Sequence, residues 1–174
     1  RSNNCPRHCS LAAAAVVSRV EEGMGPSCAV ILVEDTLEAL QKLAAWWRSE
    51  LTLTVIGLTG SNGKTSTKDL TASVLSQGFR TIATQGNLNN HIGVPLSIFR
   101  ATPSDEAAVW EMGMNHSGEL APLCEMTRPK IGIITSIGTS HMEYLGSREN
   151  IAREKCTLAR CLPAVSYTHL RAHE

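Results

Sequence analysis

The chain has 174 residues, enough for one domain that buries a core without disulfide or metal staples. Hydrophobic residues make up 43% and charged residues 18%, with 13 Gly and 7 Pro, which excludes a disordered, collagen-like or coiled-coil chain. Lys plus Arg and Asp plus Glu both number 16, so no global charge draws the chain to nucleic acid or a membrane surface.

The chain starts at Arg1 rather than Met, and is expected to be a piece of something longer. Residues 1–28 show no periodicity beyond an alanine-rich patch. Their apolar run at 11–17 is far short of the ~20 residues of a membrane span. Basic residues ahead of that run loosely imitate a signal peptide, but no cleavage site follows clearly. Cys5 and Cys9 flank His8 without a second ligand pair, a poor zinc pattern. Cys28, Cys124, Cys156 and Cys161 are scattered, as expected of reduced thiols in a cytoplasmic protein.

Residues 29–33 are an apolar run of strand length. Asp35 stands three residues before Glu38, an N-cap and N3 pair opening a helix to about Arg48. Leu37, Leu40, Leu43, Ala44 and Trp47 give that helix one apolar face, with Trp46 and Trp47 read as packing residues.

From residue 51 strands and helices alternate. Strands are expected at 53–58, 80–84, 107–112 and 131–135. Helices are expected at 65–77 closed by Gly78, at 95–99, from a Ser117 cap to about Met126, and from a Ser147 cap to about Arg160. This order predicts an α/β fold, a mostly parallel sheet with helices on both faces.

The strand at 53–58 runs into Thr59-Gly60-Ser61-Asn62-Gly63-Lys64-Thr65 and then directly into a helix. Such a P-loop presents backbone N–H groups to phosphate oxygens at the positive end of a helix. Lys64 would reach the outer phosphates and the Thr65 hydroxyl would hold Mg²⁺. The pattern is a variant, because Leu58 stands where the usual spacing has the first glycine. A glycine-rich turn that binds nothing is the plainer alternative.

Ligands of an open parallel sheet sit outside the carboxyl ends of its strands. Three polar clusters follow strand ends there: Thr84 to His91, Glu111 to His116, and Thr135 to His141. Glu111 is placed as a metal-holding carboxylate or as a rim carboxylate, and His141 as an oxygen- or metal-directed imidazole or an ordinary loop histidine. Asn115 and His116 sit beside the expected Ser117 cap. Lys155 on the last helix would by default be solvated.

The strings at 57–69, 86–96, 111–119 and 137–147, among them Gly-Ser-Asn-Gly-Lys-Thr-Ser-Thr-Lys-Asp and Asn-Asn-His-Ile-Gly-Val-Pro, resemble the ATP-dependent Mur ligases. The likeness spans about residues 30–160. It is strongest to the members that join D-alanyl-D-alanine to a UDP-N-acetylmuramoyl-tripeptide. It implies a P-loop NTPase-like centre using ATP and Mg²⁺, in a cytoplasmic enzyme of peptidoglycan synthesis that is monomeric when full-length. It also implies an acyl-phosphate intermediate.

By the same resemblance Gly60, Ser61, Asn62, Gly63, Lys64, Thr65 and Ser66 would bind ATP. Thr65 and Glu111 would hold one Mg²⁺, and His141 with Lys155, if carbamylated, a second. Lys64, Glu111, His141 and Lys155 would form the catalytic set. Thr84, Asn89, Asn90 and His91 would touch the UDP-linked substrate. Ser136 stands where the family commonly has Asn.

The expected organisation is therefore truncated. Residues 1–50 would be a remnant of a substrate-binding domain with its linker, 51–163 an incomplete ATP-binding domain, and 164–174 a foreign tail. A third, closing domain would be missing, and the fragment alone would have negligible turnover. The alternatives are a non-catalytic nucleotide-binding remnant, another Mur ligase or a folylpolyglutamate synthase-type ligase.

Overall fold

In the computed structural model, residues 13–20, 29–140 and 142–163 are described. They fall into two compact units, Arg1–Lys42 and Leu43–Glu174. In the first, β1 (Ala14–Val17) pairs in parallel with β2 (Ala29–Leu32), Ala14 opposite Ala29. β1 lies where the sequence offered no periodicity. The helix α1 (Thr36–Glu50) opens as expected, the Asp35 carboxylate accepting the amides of Leu37 (2.7 Å) and Glu38 (3.1 Å). Glu38 pairs with Lys42 one turn on.

The division between units falls inside α1. In the second unit Ala44 and Arg48 are buried. The Arg48 guanidinium donates to the carbonyls of Thr127, Leu51 and Leu53, and the Trp47 indole to Ala101. Trp46, expected to pack, is mostly exposed.

The second unit is built on a four-stranded sheet, β3 (Thr54–Thr59), β4 (Thr81–Ala83), β5 (Ala107–Glu111) and β6 (Ile131–Ile134), in the order β4-β5-β3-β6 with every pair parallel. β3 and β5 are buried nearly throughout, as a sheet covered on both faces requires. The helices are α2 (Lys64–Leu75), α3 (Gly93–Phe99), α4 (Leu120–Thr127), α5 (Met142–Leu145), α6 (Arg148–Lys155) and α7 (Thr157–Arg160). Val55, Ala108, Trp110 and Met112 face Val94 and Ile98 of α3, Leu120 and Leu123 of α4 and Leu158 of α7, which form one core. α2 packs on β3, β4 and β5, over the alternate residues Ile56, Leu58 and Val109.

Two helix ends differ from expectation. Ser147 caps α6 through the Asn150 amide (3.1 Å), but its helix breaks at Cys156 into α6 and α7. Ser117 does not cap α4. The first α4 amide, Leu120 N–H, instead donates to the Glu154 carboxylate of α6 (3.1 Å), with the Ser117 hydroxyl 3.5 Å from the same group. A partner from a distant helix thus satisfies a helix start that local sequence leaves open. Among the described residues no helix is long and apolar enough to cross a membrane.

Candidate nucleotide and metal site

β3 delivers its carboxyl end into the loop 60–63, and Gly63, in the left-handed region (φ 76°), is the N-cap of α2. No side chain caps that helix, so the amides of its first turn stay open toward the loop. The Lys64 ammonium folds back on the Gly60 carbonyl (2.9 Å).

The loop is shaped from the β6–α5 connection. Ser136 accepts the Ser61 amide on its carbonyl (3.0 Å) and the Asn62 amide on its hydroxyl (3.0 Å). That hydroxyl donates to the Asn62 carbonyl (3.2 Å), the Thr135 hydroxyl donates there too (2.6 Å), and Gly138 N–H reaches the Ser61 hydroxyl (2.9 Å). Ser136 therefore braces the loop through both its carbonyl and its hydroxyl. Sequence reasoning missed this role because it joins residues 74 positions apart.

Glu111, at the end of β5, is 2% exposed and is the hub of the site. One carboxylate oxygen accepts the Thr65 hydroxyl (3.2 Å) and the other the Asn89 amide (2.8 Å). Its backbone N–H donates to the Thr84 hydroxyl (2.9 Å). The oxygens of Thr65 and Glu111, side by side at the helix start, suit Mg²⁺, which takes one or two protein oxygens and keeps the rest of its shell for water and phosphate. Among the described residues no group of three or more His, Cys, Asp or Glu is placed to hold a metal.

A cleft of about 300 Å³ opens beside these groups, lined by Gly60, Lys64, Asn89, Asn90, His91 and Glu119 among others. Thr84, expected to touch substrate, is 2% exposed and its hydroxyl accepts the Glu111 amide. Glu119, given no role from sequence, faces the cleft and accepts the amides of Asn115 (2.7 Å) and His116 (3.2 Å). Burial would raise its pKa, but these bonds together with the His116 ring 3.1 Å away outweigh burial and hold the carboxyl below its ordinary value.

Lys155 is not the solvated lysine that its helix would suggest. It is 1% exposed. Burial first, and then the positive charge of Lys64, pull its pKa down to about 8 against the opposing pull of Glu154. His141 lies outside the described residues, as do Cys5, His8, Cys9, Cys28 and 164–174.

A family model described as the Mur ligase middle domain matches residues 58–170. The UDP-N-acetylmuramoyl-tripeptide–D-alanyl-D-alanine ligase of Synechocystis sp. is 46% identical over 155 residues, 89% of this chain and 34% of that protein. The enzyme of the same name from Bacillus subtilis is 53% identical over 127 residues, 73% of this chain and 28% of that protein. A crystal structure of MurF from Acinetobacter baumannii superposes with a TM-score of 0.80 at 37% identity, covering 86% of this chain and 32% of that one. MurF from Thermotoga maritima in complex with ADP gives 0.78 at 32% identity, covering 86% and 34%. The chain thus spans about a third of the length of the curated relatives it matches.

Proposed function

The chain belongs to the Mur ligase family through its middle domain, and we propose that it is the nucleotide-handling part of an ADP-forming ligase that joins UDP-N-acetylmuramoyl-tripeptide to D-alanyl-D-alanine. The observation that carries this reading is the Thr65 hydroxyl set 3.2 Å from the buried Glu111 carboxylate, beside a glycine-lined loop at the start of α2.

The chemistry asks for this arrangement. A peptide carboxylate is a poor electrophile, so one of its oxygens must first attack the terminal phosphorus of ATP, forming an acyl phosphate and releasing ADP. The amine of the dipeptide then attacks the carbonyl carbon, the C–O bond to phosphate breaks, and the amine proton passes to solvent or a base. The first step brings two anions together. Lys64 and the open amides of α2 supply fixed positive charge there. Thr65 and Glu111 would hold Mg²⁺, which would supply positive charge against the phosphates. Asn89 is fixed by Glu111, and with Asn90 and His91 it lines the cleft that takes the UDP-linked substrate.

Lys155, its pKa near 8, carries a neutral amine fraction able to add CO₂ and lose a proton, giving a carbamate for a second metal with His141. The enzyme works in the cytoplasm as a monomer, and the residues of this chain turn over only within a longer protein. ADP release with UDP-muramoyl-tripeptide, with and without D-alanyl-D-alanine, tests the reading on this chain and on a longer protein containing it. Dipeptide-dependent ADP from the longer protein alone is expected. Dipeptide-independent release by both would contradict it, and nucleotide binding without turnover by both would mark a non-catalytic remnant.

A further inference from the structure

α2 carries an inversion of the usual amphipathic pattern. Leu70 and Val74 are 69% and 72% exposed, whereas the one buried residue of the helix is a cation, Lys68, 4% exposed. A buried ammonium is unfavourable unless its hydrogens are satisfied. Lys68 Nζ donates to the Thr84 carbonyl at 2.9 Å and pairs with the exposed Asp69 carboxylate at 3.0 Å.

From Thr84 the bonds continue back to the same helix. Its amide donates to the Val109 carbonyl of β5 (3.0 Å), and its hydroxyl accepts the Glu111 amide. Glu111 then accepts Thr65, which stands three residues before Lys68 on the same helical face. Lys68, Thr84, Glu111 and Thr65 form a closed ring across α2 and the ends of β4 and β5. A lysine in this place fixes the end of β4 from below, and so fixes where the Glu111 carboxylate meets Thr65.

We propose that Lys68 is a positioning residue for the metal-bound nucleotide. It acts through Thr84 on Glu111 and touches neither phosphate nor metal itself. The inference rests on the nucleotide reading above for its consequence, but the positioning can be read without any ligand.

The test uses this chain and the variants Lys68→Met and Thr84→Val. Thr84→Val keeps the carbonyl that Lys68 binds and deletes only the hydroxyl that holds Glu111. Hydrogen exchange of the Glu111 amide, measured without ligand, is expected to quicken about tenfold or more in both variants, because each loosens the ring locally. Unchanged exchange at Glu111 in Thr84→Val, or in a folded Lys68→Met, overturns the proposal.

ADP affinity is then titrated with Mg²⁺ and with EDTA. Supporting groups behind a metal ligand typically account for about tenfold or more in metal affinity. Both variants should therefore lose about tenfold in the Mg²⁺ arm and stay within about twofold in EDTA, and the double variant should lose no more than either alone. An equal loss in both arms would make Lys68 a merely structural ion pair and refute the positioning role. Absence of ADP binding by the unaltered chain would instead refute the nucleotide reading, leaving the exchange result to decide on Lys68.

Discussion

Gly60→Ala is the sharpest probe of how the phosphate loop is built. The residue sits at φ +154°, a conformation that side chains disfavour. An added Cβ would run into the Thr135 hydroxyl and come within 3.1 Å of Thr135 Cβ and 3.2 Å of the Ser136 amide nitrogen. Relieving this needs a displacement on the order of 1 Å, with an overpacking cost of about 1–3 kcal/mol. It also breaks the 2.6 Å bond from the Thr135 hydroxyl to the Asn62 carbonyl, a further loss of about 1 kcal/mol. Spent in the loop that meets phosphate, about 3 kcal/mol lowers ADP affinity roughly hundredfold. Titration calorimetry of ADP with Mg²⁺ reads this directly. The double variant Gly60→Ala, Thr135→Ala removes the closest clash and should regain about tenfold. Affinity of Gly60→Ala within about twofold of the unaltered chain, or no recovery in the double variant, would refute the reasoning.

Glu154→Ala removes the acceptor of the first α4 amide and should destabilise the chain by about 1–2 kcal/mol, with Glu154→Gln recovering part of it; thermal melting checks both. Lys155 gives a pH dependence of stability. Its pKa falls from 10.5 to about 8 on folding, so between those values the unfolded chain holds more protons and stability rises with pH. Below about 8 the contribution is flat and unfavourable. Urea unfolding at pH 7.5 and at pH 10 should show the rise, and Lys155→Met should reduce it; identical slopes for the two chains would contradict the assignment.

The parts of the fold written in short strings were legible from sequence. The alternation after residue 51, the Asp35 and Ser147 caps and the loop 59–65 each depend on neighbours within a few positions. β1 was not legible, because its four residues, Ala14–Val17, are all apolar and carry no polar alternation in the sequence, although alternate residues are half-buried in the fold. Ser117 looked like a cap by local rules, and only the fold brings Glu154 to do that work from 34 residues away. The candidate site divides the same way. Lys64, Thr65 and Glu111 were marked by motif, and the fold brings Thr65 and Glu111 together. The resemblance marks Thr84 as a substrate contact, and the fold adds a bond that no local string shows, from the Glu111 amide to its hydroxyl. Lys155 is singled out by the family resemblance and Lys68 by no local rule, and that both are buried is not legible, since burial of a cation depends on carbonyls, charges and sheet edges that only the folded chain assembles.

The central claim is that the loop 60–65 binds the phosphates of a nucleotide with Mg²⁺. Equilibrium titration of ADP in Mg²⁺ against this chain and its Lys64→Ala variant tests it most directly. The account predicts saturable binding by the unaltered chain that weakens at least tenfold without the Lys64 charge. No binding by the unaltered chain, or equal binding by both, would contradict it.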